Sequence, residues 1–192
     1  MEDDYFIVDI ETCPIDLEKY QQLNEEEQKK LMNPIDSKII AIGLRYNGKN
    51  KIIMDENEKV MLEKFWSEWE NIKKGNPYTN VVGFSITNFD LPFLVSKSLV
   101  HNVVICPFLL KEIVDLRDKI NAYRFGRTRG TLKEYAKLIG IKTMDMDGKD
   151  IAPLCIKGDF IKISEYLEKD LEITDKLYQR AKETKILEID KW

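Results

Sequence analysis

Four acidic residues in three separated segments are the residues best placed to do chemistry. Asp9 and Glu11 lie in FIVDIET, Asp90 in VVGFSITNFDLPFL, and Asp170 in YLEKDLEITDKLY, four residues after Tyr166. Asp9 and Glu11 are two apart on an extended segment, so both side chains point to one face. Tyr166 and Asp170 stand at i and i+4 on a predicted helix and share a face. Leu167, Leu171, Ile173, Thr174, Leu177 and Tyr178 form an adjoining apolar face that draws Asp170 toward the core. Asp90 follows Phe89 and opens another helix. Each motif alone has a plainer reading. Asp-x-Glu fits a solvated strand end, Asp90 a first-turn acid favoured by the helix dipole, and Asp170 a surface acid beside a half-buried tyrosine. Gathered by folding, the four would form an all-oxygen cage suited to hard divalent cations.

The elements that must position them can be traced along the chain. Tyr5 to Val8 reads as a buried strand ending at the first acidic pair. Residues 15–33, rich in charge and helix formers, read as an exposed helical insertion before Pro34. Lys38 to Tyr46 is a second strand, Asn47-Gly48 a hairpin turn, and Lys51 to Met54 a third strand. Residues 57–74 carry Val60, Leu62, Phe65, Trp66 and Trp69 at helical period, with Gly75 and Pro77 as stops. Val81 to Phe84 is a fourth strand. A helix follows over Leu91 to Val100, with Pro92 in its first turn. Glu112 to Leu116 is a fifth short strand. Thr131 and Glu134 form a capping box, with Gly140 as the stop. Ser164 is a good N-cap for a last helix over 165–184. This order predicts an α/β layer fold around a mixed sheet.

The 192 residues suit one domain spanning 1–192, and 43% hydrophobic content supplies a sizeable core. A net charge of −4 argues against a uniformly basic nucleic-acid coat. It leaves a metal-dependent site open, because its carboxylates count as negative until metal binds. Cys13, Cys106 and Cys155 are odd in number and widely spaced, which predicts neither a zinc site nor a disulfide framework. A reducing, cytoplasmic compartment is the simpler expectation. The longest apolar runs are too short to span a bilayer.

An acidic pair after the first strand, Phe89-Asp90 after the fourth, and Tyr-x-x-x-Asp on the last helix together resemble the DEDD exonuclease superfamily. The pattern is most similar to its DEDDy subclass, which includes the proofreading domain of family B DNA polymerases. It is also similar to RNase D-like exoribonucleases. The tyrosine subclass fits because the one histidine, His101, lies outside the third motif. Where the polymerase-type motif commonly carries asparagine, this chain has Ser85, whose reach is shorter.

The resemblance runs from about residue 5 to 180 and implies a ribonuclease H-like three-layer fold, with a mixed five-stranded sheet flanked by helices. It implies two Mg²⁺ or Mn²⁺ ions, with Asp9 bridging both. Glu11 and Asp170 would complete the ion that activates water, Asp90 would hold the second, and Tyr166 would orient the attacking water. It implies 3′–5′ hydrolysis that releases nucleoside 5′-monophosphates, with substrate contacts at Thr12, Ser85 and Phe89. The implied partners are DNA or RNA 3′ ends. Single-stranded DNA comes first, RNA second, and a catalytically idle binding module is the remaining alternative. Separately, residues 117–137 hold seven basic side chains against two acidic ones. There Arg124, Arg127 and Arg129, interleaved with Tyr123 and Phe125, could track phosphates and stack bases; a solvated loop is the other reading.

Overall fold

The computed structural model describes residues 4–123 and 130–190. Strand β1 (Tyr5–Pro14) is followed by helices α1 (Leu17–Gln22) and α2 (Glu25–Lys30), then strands β2 (Ser37–Tyr46) and β3 (Lys49–Ile53). Helix α3 (Glu58–Gly75), strand β4 (Asn80–Gly83), helix α4 (Asp90–His101) and strand β5 (Ile113–Asp115) come next. Four α-helices follow: α5 (Leu116–Ile120), α6 (Leu132–Leu138), α7 (Ile151–Lys157) and α8 (Phe160–Glu183), with a short 3-10 turn over Ile186–Glu188 after the last. The sheet order is β3-β2-β1-β4-β5. β1 pairs antiparallel with β2 and parallel with β4, which makes the sheet mixed.

The period-two geometry of β1 divides the molecule into layers. Phe6, Val8 and Ile10 face a core built with Leu62, Phe65, Trp66 and Trp69 of α3 and Phe93 and Leu94 of α4. Trp66 and Trp69 share the inner face of α3, as their spacing predicts, and the Trp66 indole N–H donates to Ser98 Oγ at 2.8 Å. Ile7 and Cys13 face the opposite side, against α6, α7 and α8. Asp9 and Glu11 belong to this second set, so alternation alone aims both carboxylates at α8.

β1 runs through the acidic pair to Pro14, because β2 stays paired with it as far as Ser37. The carboxylates therefore lie within the strand, not at its end as its apolar run suggests. β4 pairs only with Tyr5 to Ile7. Its early stop leaves room beyond Ile7 for the turn that delivers Asp90.

α8 lies across this face. Its buried residues, among them Ile163, Tyr166, Leu167, Asp170, Leu171 and Thr174, keep to the i, i+3, i+4 stripe. It starts earlier than Ser164 suggests, because Asp159 caps it by accepting from the Lys162 amide at 3.3 Å. Gly43 lies opposite Asp9 in the β1–β2 register. A Cβ built there would stand 2.9 Å from Leu171 Cδ1 and 3.0 Å from Leu167 Cγ. Both leucines are fully buried and have nowhere to retreat. Gly43→Ala is therefore expected to push α8 off the sheet and cost about 1–3 kcal/mol. A thermal melt should show a drop of several degrees; an unchanged melt would mean that α8 does not pack this closely.

The 15–33 stretch is helical, as its composition suggests, while one expectation about the cysteines changes. The stretch is built as two helices, because Asp16 caps the first and Asn24 with Glu27 forms a capping box that starts the second. Cys13 and Cys155 form a disulfide with a Cα–Cα distance of 6.5 Å. Wide spacing hid the pair, since only the folded chain lays α7 against the end of β1. Among the described residues, no helix is long and apolar enough to cross a membrane.

A candidate acidic metal centre

Asp9, Glu11 and Asp170 each offer a carboxylate oxygen, and the three oxygens lie within 4.8 Å of one another. β1 supplies two of them and the buried face of α8 the third. Asp90, 2% exposed at the first position of α4, adjoins them. Its Oδ1 accepts the Ile10 amide at 3.0 Å, and Asp9 Oδ1 accepts the same amide at 3.1 Å. One N–H on the open side of β1 thus ties two of the carboxylates together. Tyr166, one turn before Asp170, is 5% exposed.

The Asp90 arm is set by a tight turn. A Cβ on Gly83 would come within 2.6 Å of Ile86 Cβ. Ser85 takes a left-handed φ of 64°, and its carbonyl accepts the Asn88 and Phe89 amides. Asp115 anchors the turn from below. Its carboxylate accepts the Ser85 amide at 2.9 Å, the Thr87 amide at 3.1 Å and the Thr87 hydroxyl at 2.6 Å. It also caps α5 by accepting the Arg117 amide at 3.0 Å.

Comparison with known proteins gives this arrangement relatives. An uncharacterized protein of Methanocaldococcus jannaschii, MJ0365, is 36% identical over 161 residues, which span 77% of this chain and 88% of that one. Residues 108–187 match the model of a family described as a predicted 3′-5′ exonuclease related to the exonuclease domain of PolB. The chain belongs to this family of predicted, PolB-related exonucleases. The family B DNA polymerase of the hyperthermophilic archaeon Pyrobaculum calidifontis shares its fold, at a TM-score of 0.68 and 14% identity. The match covers 92% of this chain and only 24% of the polymerase. The ribonuclease H-like three-layer reading thus holds for the fold, although the chain spans about a quarter of the polymerase it resembles.

The electrostatics of the centre are those of crowded, buried carboxylates only partly offset by Lys133. Burial raises the Asp9 carboxyl well above its ordinary range, and Asp90, Glu11 and Asp170 push it further. Glu11 is raised by burial and by Asp170 and Asp90, while Lys133 opposes the rise. Burial lifts Asp90 to about 7, against the hydrogen bonds it accepts. Burial lifts Asp170 to about 6, against Lys133 and the Tyr166 hydroxyl. The Tyr166 phenol is raised by burial and then by Asp170 and Glu11, so it stays protonated at neutral pH. Asp170 Oδ1 is buried with no hydrogen-bond partner. Clustered carboxylates with an orphaned oxygen fit a hard divalent cation.

Other predicted site residues fall around this centre. Thr12 follows the bulge after Glu11 and is 2% exposed, with its hydroxyl buried and unpartnered. Phe89 caps α4 and packs on Phe93, ring centroids 4.8 Å apart. Arg124, Arg127 and Arg129 lie outside the described residues. The wider basic stretch is not one solvated track. Lys119 is buried and donates to the carbonyls of Leu187 and Ile189. Gly130 holds a φ of 105°, and a Cβ there would strike the Tyr135 ring. His101 ends α4, with Nε2 2.7 Å from Glu58 Oε2 and away from the carboxylates' motifs.

Two residues of consequence went unread in the sequence, Asp115 and Lys133. An aspartate ending a strand just before a helix is a cap signal that could have found Asp115. Lys133 gave a fainter one. It shares the inner face of α6 with Ala136, three residues on, where an apolar residue is the ordinary choice.

Proposed function

We propose that this chain is a DEDDy-type 3′–5′ exonuclease that cleaves single-stranded DNA from its 3′ end. The observation that carries the reading is the meeting of β1 and α8. Three carboxylates converge within 4.8 Å, and one of their oxygens is buried and unsatisfied. Asp9, Glu11, Asp90 and Asp170 would hold two Mg²⁺ or Mn²⁺ ions. Such a pair supplies a nucleophile from water at neutral pH and counter-charge for the leaving oxygen.

The chain's own groups do the rest. Asp9 lies beside the other acids: it shares the Ile10 amide with Asp90, and its oxygen meets those of Glu11 and Asp170. The Tyr166 hydroxyl, held protonated beside Asp170 and Glu11, is a positioning group for the attacking water and not a base. The Ser85–Phe89 turn, fixed by Asp115, would present Ser85 and Phe89 to the terminal nucleotide, and Thr12 would contact it from β1. Arg124, Arg127 and Arg129 would hold phosphates upstream. DNA is favoured by the likeness of GFSITNFDLPFL to the polymerase second motif.

The test uses oligonucleotides labelled at the 5′ end, as DNA and as RNA, with Mn²⁺. Successive shortening from the 3′ end with release of nucleoside 5′-monophosphates is expected, faster on DNA. Faster shortening of RNA would move the substrate to RNA. Tight binding without cleavage of either would leave a binding module in place of an enzyme.

A further inference from the structure

Lys133 is the least expected side chain beside the acidic centre. It is 6% exposed, and its Nζ is buried with no hydrogen-bond partner. A buried ammonium without hydrogen bonds is costly, so something else must hold it there. Nζ lies 4.0 Å from the centroid of the Tyr166 ring, a cation–π distance. The same charge acts on Glu11 and Asp170.

The backbone that brings it in is closely fixed. Gly130 turns with a φ of 105° against the Tyr135 ring. Thr131 and Glu134 then cap α6 in both directions. Ala136, fully buried, seats the helix so that Lys133 points inward with it. None of this resembles a surface lysine folded over at random.

We propose that Lys133 is a positioning residue of the exonuclease site, an internal counter-cation that offsets Glu11 and Asp170 and clamps the Tyr166 ring from above. The inference rests on the proposed nuclease reading and adds to it a third, protein-borne positive charge. In the metal-free chain the ammonium relieves part of the repulsion among the carboxylates. When divalent ions bind, it competes with them for the same negative field. Its contact with the ring also fixes the Tyr166 side chain, whose hydroxyl must stay in register with Asp170.

Opposed effects on metal binding and turnover follow, and a packing residue would not produce them. In Lys133→Met at pH 8, the metal-free melting temperature should fall and the gain from saturating Mn²⁺ should grow. Calorimetric Mn²⁺ affinity without nucleic acid should tighten about threefold to tenfold, since a competing charge is gone. kcat should drop at least about tenfold with KM within roughly twofold, because an interaction serving the transition state is lost. Lys133→Arg keeps a cation and a ring contact and should hold both quantities near the parent. Should Lys133→Met fail to fold, Lys133→Gln carries the same measurements. An unchanged or weakened Mn²⁺ affinity, or an unchanged kcat, overturns the proposal. A parent chain that neither binds Mn²⁺ nor cleaves would overturn the nuclease reading itself, and this inference with it.

Discussion

Asp9→Asn is expected to abolish 3′-end cleavage while leaving the metal-free protein as stable as the parent, or more so. Asp9 sits at the centre of the repulsion, pushed by Asp90, Glu11 and Asp170 together. At an effective dielectric near 20, two unit charges 4.8 Å apart repel by roughly 3 kcal/mol, and 4.8 Å is the limit within which its oxygen meets those of Glu11 and Asp170. Partial protonation softens that figure, so a gain of about 1–2 kcal/mol is the expected scale. Asparagine keeps an Oδ1 that can accept the Ile10 amide, so the local backbone has no reason to move. What it removes is a charge that would help hold the divalent cations. The rate should fall by about 10²–10³-fold, the scale on which loss of one charge-stabilising group acts. The thermal gain with Mn²⁺ should shrink with it. Activity and stability moving in opposite directions marks a functional cluster. If Asp9→Asn instead lowers the metal-free melting temperature by several degrees and still shifts with Mn²⁺, the carboxylate is structural and the centre lies elsewhere.

The legible parts of this molecule are those where one local rule settles a residue's direction. Period-two alternation put Asp9 and Glu11 on one face. Helical spacing did the same for Tyr166 with Asp170 and for Trp66 with Trp69. The order of elements was enough for the layered fold. Properties set by a neighbour distant in sequence stayed hidden. β1 outruns its apolar stretch because β2 pairs beside it as far as Pro14. The disulfide joins residues 142 positions apart, brought together only when α7 settles on β1. Lys133 counted as one more charge in a basic run, and only the packing of α6 turns it inward. Asp115 was invisible for a related reason. Its worth comes from the Ser85–Thr87 turn, 28 to 30 residues away in sequence, whose donors it collects. The metal-ligand candidates were readable as types and spacings, whereas the groups that hold them in place were not.

The metal-free chain is expected to lose stability as pH rises from about 5 to about 8, and Mn²⁺ should reverse the trend. The direction follows from proton counts. Asp90 titrates near 7 in the folded chain, against an ordinary 3.8, and Asp170 near 6; Asp9 and Glu11 are displaced the same way. Between those limits the folded state holds protons that the unfolded chain has released. Stability therefore falls with rising pH, being fully present below the ordinary carboxylate range and lost as pH passes the folded values. At 1.36 kcal/mol per pH unit, Asp90 alone gives a change on the order of 3 kcal/mol between pH 5 and pH 8. For a chain of this length that corresponds to roughly 6–12 °C in melting temperature. Bound divalent ions would hold the same carboxylates ionised, push their folded values below the unfolded ones and invert the slope. The gain from Mn²⁺ should accordingly be small at pH 5 and large at pH 8, since protons compete for the same oxygens. Scanning fluorimetry at five pH values, with and without millimolar Mn²⁺, reads both slopes directly. Parallel curves would mean that these carboxylates neither share protons nor share a metal, whatever their spacing.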